Sequence, residues 1–376
     1  MPYPRGAVAV VGVGATAQGE LAGRSADEIA VDAFRLALDD AGVGKHSVDG
    51  LITCRSVVGQ GIDTDIGKLA GLNPRYSATL EYGTCNFSLH LAAMAITSGL
   101  CHTVAMLYGT NPRTNRFDFG RPAPGSDFSA PYGFLHVAGP AAMAFRRHQH
   151  LYGTTEEQLG CVAVAQRENA LLNPLAVFRE PLTIQAYLAA PYIVAPLRRP
   201  DLTMISDGGA AVIVTAADRA ADFAKRPAYL LGIAQQTALR ELENDDNLMR
   251  PWIADVASRV YAAAGVVPAD IDALYIQDPT SVWVLQMLEM YGFCGIGESG
   301  PFVAEGHARL GGSIPVNTNG GQLSESYMWG WLHLVEAVRQ LRGECGPRQV
   351  PGARLVQHCS TKTFQKAAAS ILGSER

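Results

Sequence analysis

No apolar run in this chain reaches the roughly 18 residues that a membrane-spanning helix needs, so the sequence offers no span. Charge of one sign is scarce as well. Thirty Lys and Arg stand against 35 Asp and Glu, a formal net charge of −5, and the basic residues are scattered rather than gathered into a stripe. That excludes a nucleic-acid surface built on phosphate contacts. The seven cysteines are odd in number and lack the paired spacings of a metal site or a disulfide framework. No metal is therefore expected, and a reducing, cytoplasmic compartment is. The amino terminus, Met-Pro-Tyr-Pro-Arg, has no apolar signal core. Gly12-Val13-Gly14-Ala15-Thr16-Ala17 lacks the later glycine and the immediate helix of a dinucleotide fingerprint, so no tightly bound cofactor is expected there.

What is present is a duplication. With 376 residues, 48% of them hydrophobic, the chain can bury one large core or two ordinary ones. Ala7 to Val13 is a continuous apolar run that reads as a buried parallel strand. Ser25 and Glu28 form a capping box for a helix over Ala26 to Ala41, stopped by Gly42, and Asp49 to Cys54 is the next strand. The later sequence repeats this order: a strand over Tyr229 to Ile233, a helix over Pro251 to Ala264 stopped by Gly265, and a strand through Gln277. A second helix matches too, Phe87 to Ser98 against Met328 to Arg342, each followed by an apolar strand. The fold class is α/β, with an N-terminal half over 1–222 and a C-terminal half over 223–376. The first half carries an insertion over about 111–200, too long for a passive loop and read as a functional cap.

The stretch Pro315 to Gly330 is the candidate active-site turn. Asn317, Gly320 and Gly321 tolerate left-handed backbone angles and let a ligand approach the main chain. Ser324 or Ser326 is expected to cap the helix that follows, whose free N–H groups would point at whatever occupies the turn.

Several motifs together carry a resemblance. They are Tyr152-Gly153-Thr154-Thr155-Glu156-Glu157, Asn169-Ala170-Leu171-Leu172-Asn173-Pro174, Ser206-Asp207-Gly208-Gly209, Tyr291-Gly292-Phe293-Cys294 and Val316-Asn317-Thr318-Asn319-Gly320-Gly321. The chain resembles the thiolase superfamily over essentially its full length, and within it the lipid-transfer or sterol-carrier-protein-x branch. The resemblance implies five α/β/α/β/α layers, a homodimer, and a substrate carried as a coenzyme A thioester. It also implies, for some relatives, a heterotetramer with a small zinc-ribbon and OB-fold partner.

At the thiolase catalytic positions the residues differ. Tyr82 falls where the nucleophilic cysteine belongs, with Cys85 about one turn later. The family's Gly-His-Pro becomes Ser326-Tyr327-Met328, its His-Asp-x-Phe becomes Gln277-Asp278-Pro279-Thr280, and its C-terminal cysteine motif keeps Cys359 and loses the glycines. Without imidazoles to activate a thiol, the pattern is closer to thiolase-like steroid side-chain aldolases, which carry tyrosines and cleave β-hydroxyacyl-CoA by a retro-aldol reaction. Tyr327 is then the proton-transfer residue, with Gln277 or Asp278 beside it and Tyr275 and Tyr291 as further tyrosines near the substrate. Two other readings stand: a thiolase or acyltransferase using Cys85 and Cys359, and a catalytically silent acyl-CoA-binding subunit.

Overall fold

The computed structural model describes residues 4–81, 84–119, 137–238, 248–362 and 365–376. The chain begins with β1 (Val8–Ala15), α1 (Ala26–Ala41), β2 (Gly50–Cys54), α2 (Asp63–Ala70), β3 (Tyr76–Leu80), α3 (Cys85–Thr97) and β4 (Thr103–Thr110). An excursion follows through α4 (Ala138–Tyr152), α5 (Glu156–Leu171), α6 (Ile184–Ala189) and a small hairpin of β5 (Tyr192–Val194) and β6 (Leu197–Arg198). The chain then returns as β7 (Gly208–Ala216), β8 (Ala228–Thr237), α7 (Ile253–Ala264) and β9 (Ala273–Ile276). It ends with α8 (Ser281–Met290), α9 (Ser299–Ala304), α10 (Gly321–Ser324), α11 (Trp331–Arg342), β10 (Leu355–Lys362) and β11 (Lys366–Gly373).

Local chemistry sets these boundaries. Ser25 and Glu28 close the expected capping box on α1, and Gly42 ends the helix at φ 68°. Nine strands form one ribbon in the order β3-β2-β4-β7-β1-β8-β11-β10-β9. Outward from its middle the order is mirrored, β1-β7-β4-β2 on one side and β8-β11-β10-β9 on the other. Even β3 has a counterpart, because Val316 bridges Leu274 of β9 in parallel as β3 pairs with β2. The two half-sheets are joined through the antiparallel pairs Val8–Leu230, Ala9–Tyr229 and Val10–Ala228.

One expectation is corrected here. β1 is antiparallel to both of its neighbours, β7 and β8. Its apolar run reflects helices covering both faces of the half-sheet, which is a property of burial rather than of strand direction.

The layers follow from the three apolar cores. Phe34 and Ala37 of α1 pack on Leu51 and Leu107, outside the first half-sheet. α7 and α8 cover the outside of the second with Val256, Val260, Trp283 and Leu288. Between the half-sheets lie α3 and α11, where Leu89, Trp331, Leu334 and Val338 meet Tyr108 and Tyr275. The mirror extends to single atoms. A side chain on Gly12 would come within 2.7 Å of Ala41 Cβ in α1, and one on Gly232 within 2.9 Å of Ala264 Cβ in α7. Each glycine lets the last turn of its helix sit close to the strand. Among the described residues no helix is long and apolar enough to cross a membrane.

Candidate active site

The two central helices begin at the same place. The backbone N–H of Cys85, the first residue of α3, donates to the carbonyl of Trp329, just before α11, at 3.3 Å. Asn86 Nδ2 donates to the carbonyl of His358 in β10 at 2.8 Å. The first-turn N–H groups of two helices and the inner face of β10 therefore converge at the centre of the molecule, where a developing negative charge would be favoured. Thr84 Oγ1, Gln277 Oε1, Ser360 Oγ and both ring nitrogens of His358 are buried there or beside it without hydrogen-bond partners among the described residues. Buried polar atoms are nearly always paired, so this gathering leaves unused hydrogen-bonding capacity at the centre, which a bound ligand could satisfy.

The turn from Pro315 to Gly330 frames this centre. Asn317, at φ 49°, donates to the Ile276 carbonyl at 2.9 Å and accepts from the Ile276 N–H at 2.7 Å, sewing the turn to β9. Gly320 and Gly321 are left-handed, and α5 crosses close to both. A side chain at 320 would lie 2.7 Å from Ala170 Cβ, and one at 321 would strike the Gln166 amide and the Asp278 carboxylate. The N–H groups of the short α10 are already occupied: Gln322 and Leu323 donate to Asp278 at 2.8 and 3.3 Å. His333 Nε2 lies 2.9 Å from the same carboxylate and, because a carboxylate only accepts, carries the proton. The group that the N–H groups of α10 point at is thus the protein's own Asp278.

Neither serine caps α11. Ser324 Oγ accepts from Arg167 Nε at 2.9 Å, and Ser326 Oγ pairs with Ser206 Oγ at 2.7 Å. The chain makes α10 and a further turn before α11, whose N-cap is Gly330.

The tyrosines and cysteines divide sharply. Tyr327 is half-buried in front of α11; its N–H donates to Ser206 Oγ at 3.0 Å, and its phenol oxygen accepts from the Trp329 indole N–H. Tyr82 lies outside the described residues, as does 120–136 within the insertion read as a functional cap. Cys85 is at the centre, yet burial, with Cys54 adding to it, holds its thiol well above the ordinary range. His90 gives it no help, because its Nε2 lies 3.1 Å from Ser370 Oγ.

Tyr275 faces inward, but its hydroxyl is 2.8 Å from Thr318 Oγ1, which donates to Glu336 at 3.1 Å; Glu336 in turn is paired with Arg348. That network holds the turn to α11. Cys359 and Tyr291 fall in the outer core with Tyr261, on the opposite face of the second half-sheet. Gln357 Nε2 donates to the Cys359 thiol at 3.1 Å, and burial pushes that thiol up to about 12. The structure does not bring these two residues to the centre: Tyr291 ends α8 on the outside of the second half-sheet, and the strand alternation that turns Cys359 outward turns His358 and Ser360 inward.

His333, His358 and Ser360 were not legible as site residues. Alternation around Cys359 was the only available signal for two of them, and it needed the facing of β10 to be known. The His333 and His358 rings lie at 28° to one another with centroids 6.1 Å apart. Burial, then the neighbouring His333 and His90, pushes His358 well below the usual imidazole range, so it is neutral.

A family model described as Thiolase C-terminal domain-like matches residues 234–374. The chain is 35% identical over 361 residues to the steroid side-chain-cleaving aldolase of Thermomonospora curvata, covering 90% of this chain and 91% of that one. It is 34% identical to the 17-hydroxy-3-oxo-4-pregnene-20-carboxyl-CoA lyase of Mycobacterium tuberculosis (90% and 92%). It is also 33% identical to an acetyl-CoA acetyltransferase of Methanothermobacter thermautotrophicus (93% and 94%). Among solved structures, the Ltp2-ChsH2(DUF35) aldolase superposes with a TM-score of 0.91 at 32% identity, covering 100% of this chain and 99% of that one.

Proposed function

This chain belongs to the thiolase superfamily, in its lipid-transfer branch, and we propose that it is a carbon–carbon lyase cleaving a β-hydroxyacyl-CoA, steroid side-chain thioesters included, by a retro-aldol reaction. The observation that carries this reading is a phenol, Tyr327, standing before the α11 N-terminus while both candidate thiols are unsuited to nucleophilic attack. A thiolase needs a thiolate; a retro-aldolase needs only a base and a place for an enolate.

In the reaction, the Tyr327 phenolate takes the β-hydroxyl proton and the C–O bond becomes a carbonyl. The bond between Cα and Cβ breaks, and its electron pair moves onto the thioester as an enolate. Protonation at Cα then releases a shortened acyl-CoA alongside the ketone or aldehyde, with no oxidant or reductant consumed. Gln277, buried next to β10 with an amide oxygen that has no partner among the described residues, orients the substrate. Asp278 acts through the turn it holds. The chain works as a homodimer, and a small zinc-ribbon and OB-fold partner is the kind of second subunit it would take; the aldolase that it superposes on carries a DUF35 chain in its name.

The test is a product assay on paired β-hydroxyacyl-CoA and β-ketoacyl-CoA thioesters, with intact-protein mass spectra taken during turnover. Ketone or aldehyde release from the hydroxy substrates, with no acyl adduct on the protein, is expected. Thiolysis of the keto substrates with an adduct at Cys85 would replace this reading by the thiolase one.

A further inference from the structure

The lyase reading leaves the enolate oxygen without a named protein partner, and one group of residues fits it. His358 and Ser360 project from the inner face of β10 toward the start of α11. A Cβ on Gly330, the N-cap of α11, would lie 3.0 Å from His358 Nε2 and 3.5 Å from Ser360 Oγ. Glycine there keeps that point open. His358 is fully buried and Ser360 nearly so, and none of their side-chain polar atoms has a partner among the described residues. α11 is 12 residues long, and its first-turn N–H groups face the same end.

We propose that His358 and Ser360, together with the α11 N-terminus, form the oxygen-binding site for the thioester carbonyl and for the enolate it becomes. The proposal rests on the lyase reading for the reaction but on geometry alone for the site. A neutral imidazole is the right donor for this task. It gives one N–H without bringing a charge that would also bind the ground state, so its hydrogen bond strengthens as the oxygen becomes an anion. Burial and the stacked His333 keep His358 in that neutral form. Asp278 fixes His333 through Nε2, and His333 in turn fixes the face on which His358 stacks. Asp278 and His333 are therefore positioning residues.

The experiment reads the carbonyl itself. Butyryl-CoA labelled with carbon-13 at the thioester carbonyl is added to full-length wild type, Ser360→Ala, His358→Leu and His358→Gln, with folding checked by melting temperature. Difference infrared spectra should show the bound carbonyl at lower wavenumber in wild type, less displaced in Ser360→Ala, and at its solution position in His358→Leu. His358→Gln, which keeps a donor, should retain part of the shift and serves if the leucine variant does not fold. On a cleavable β-hydroxyacyl-CoA, kcat of His358→Leu should fall by about 10² to 10³, the usual loss for one oxyanion donor, with KM little changed. A solution-like carbonyl in wild type, no bound carbonyl at all, or an undiminished shift in both His358→Leu and Ser360→Ala would overturn the proposal. A shifted carbonyl without cleavage of any hydroxy substrate would instead remove the lyase reading and leave the oxygen site standing.

Discussion

A phenol is a poor base at neutral pH until something holds its anion. Tyr327 has two such supports: the Trp329 indole N–H aimed at its oxygen, and the positive end of α11 directly behind it. The neighbouring carboxylate is a weaker candidate, because the acceptor positions of Asp278 are taken by Gln322, Leu323 and His333. Tyr327→Phe should therefore lower kcat by about 10² to 10⁴, the typical range for general-base assistance, while substrate binding and melting temperature change little. A fall of less than about threefold would take Tyr327 out of the mechanism. The ring itself is packed edge-on against Phe119 and Trp329, so the phenylalanine keeps the aromatic contacts and isolates the hydroxyl.

The turn and the short α10 are held by a buried acid. Glu325 accepts from Asn173 Nδ2 at 2.8 Å and from Asn319 Nδ2, and burial, with Glu336 adding to it, raises its carboxyl to about 7. Between the ordinary carboxylate range and pH 7 the folded protein thus holds a proton that the unfolded chain has lost. Stability from this group falls as pH rises through that window and stays low above it. In Glu325→Gln the side chain is neutral at every pH, so the stability difference should shift toward the variant between pH 5 and 8, by at most about 3 kcal/mol. Urea titrations of both proteins at several pH values measure this directly. Shared groups such as His90, pushed down to about 4 by burial, cancel in the comparison. A difference that does not move with pH, or moves toward wild type, would contradict the buried-acid assignment.

At the scale of the molecule, β3 is the exposed end of the ribbon: among the described residues it pairs only with β2, and its side chains are half-covered or exposed. A free strand edge on a protein of this size is a natural place for a second copy to add. Light scattering should give a mass of twice 40.0 kDa for the purified chain. A mass of one chain would remove the homodimer from the proposal and leave the fold untouched. We propose the division of the chain at 222/223, at the end of the 3₁₀ stretch Ala217–Asp222 between β7 and β8.

What the sequence determined by itself were the features written in local pattern. The capping box at Ser25, the helices expected over Ala26 to Ala41 and Pro251 to Ala264, and the repeat of strand and helix order depend on neighbours a few residues apart. α1 keeps its expected bounds, α7 starts at Ile253 and α11 at Trp331, and β8 runs on to Thr237. The left-handed turn at Gly320 and Gly321 was legible for the same reason. Tertiary structure alone decided which face of β10 looks inward, and that choice moved Cys359 into the outer core while bringing His358 and Ser360 to the centre; Tyr291 lies in the outer core because it ends α8. It also decided that Asp278 fills the N–H groups of α10, and that Asn317 grips β9. Each face of β10 mixes apolar and polar residues, Val356, His358 and Ser360 on one side and Leu355, Gln357 and Cys359 on the other, so its alternation carries no record of which side is which; only the helices packed against it make the distinction.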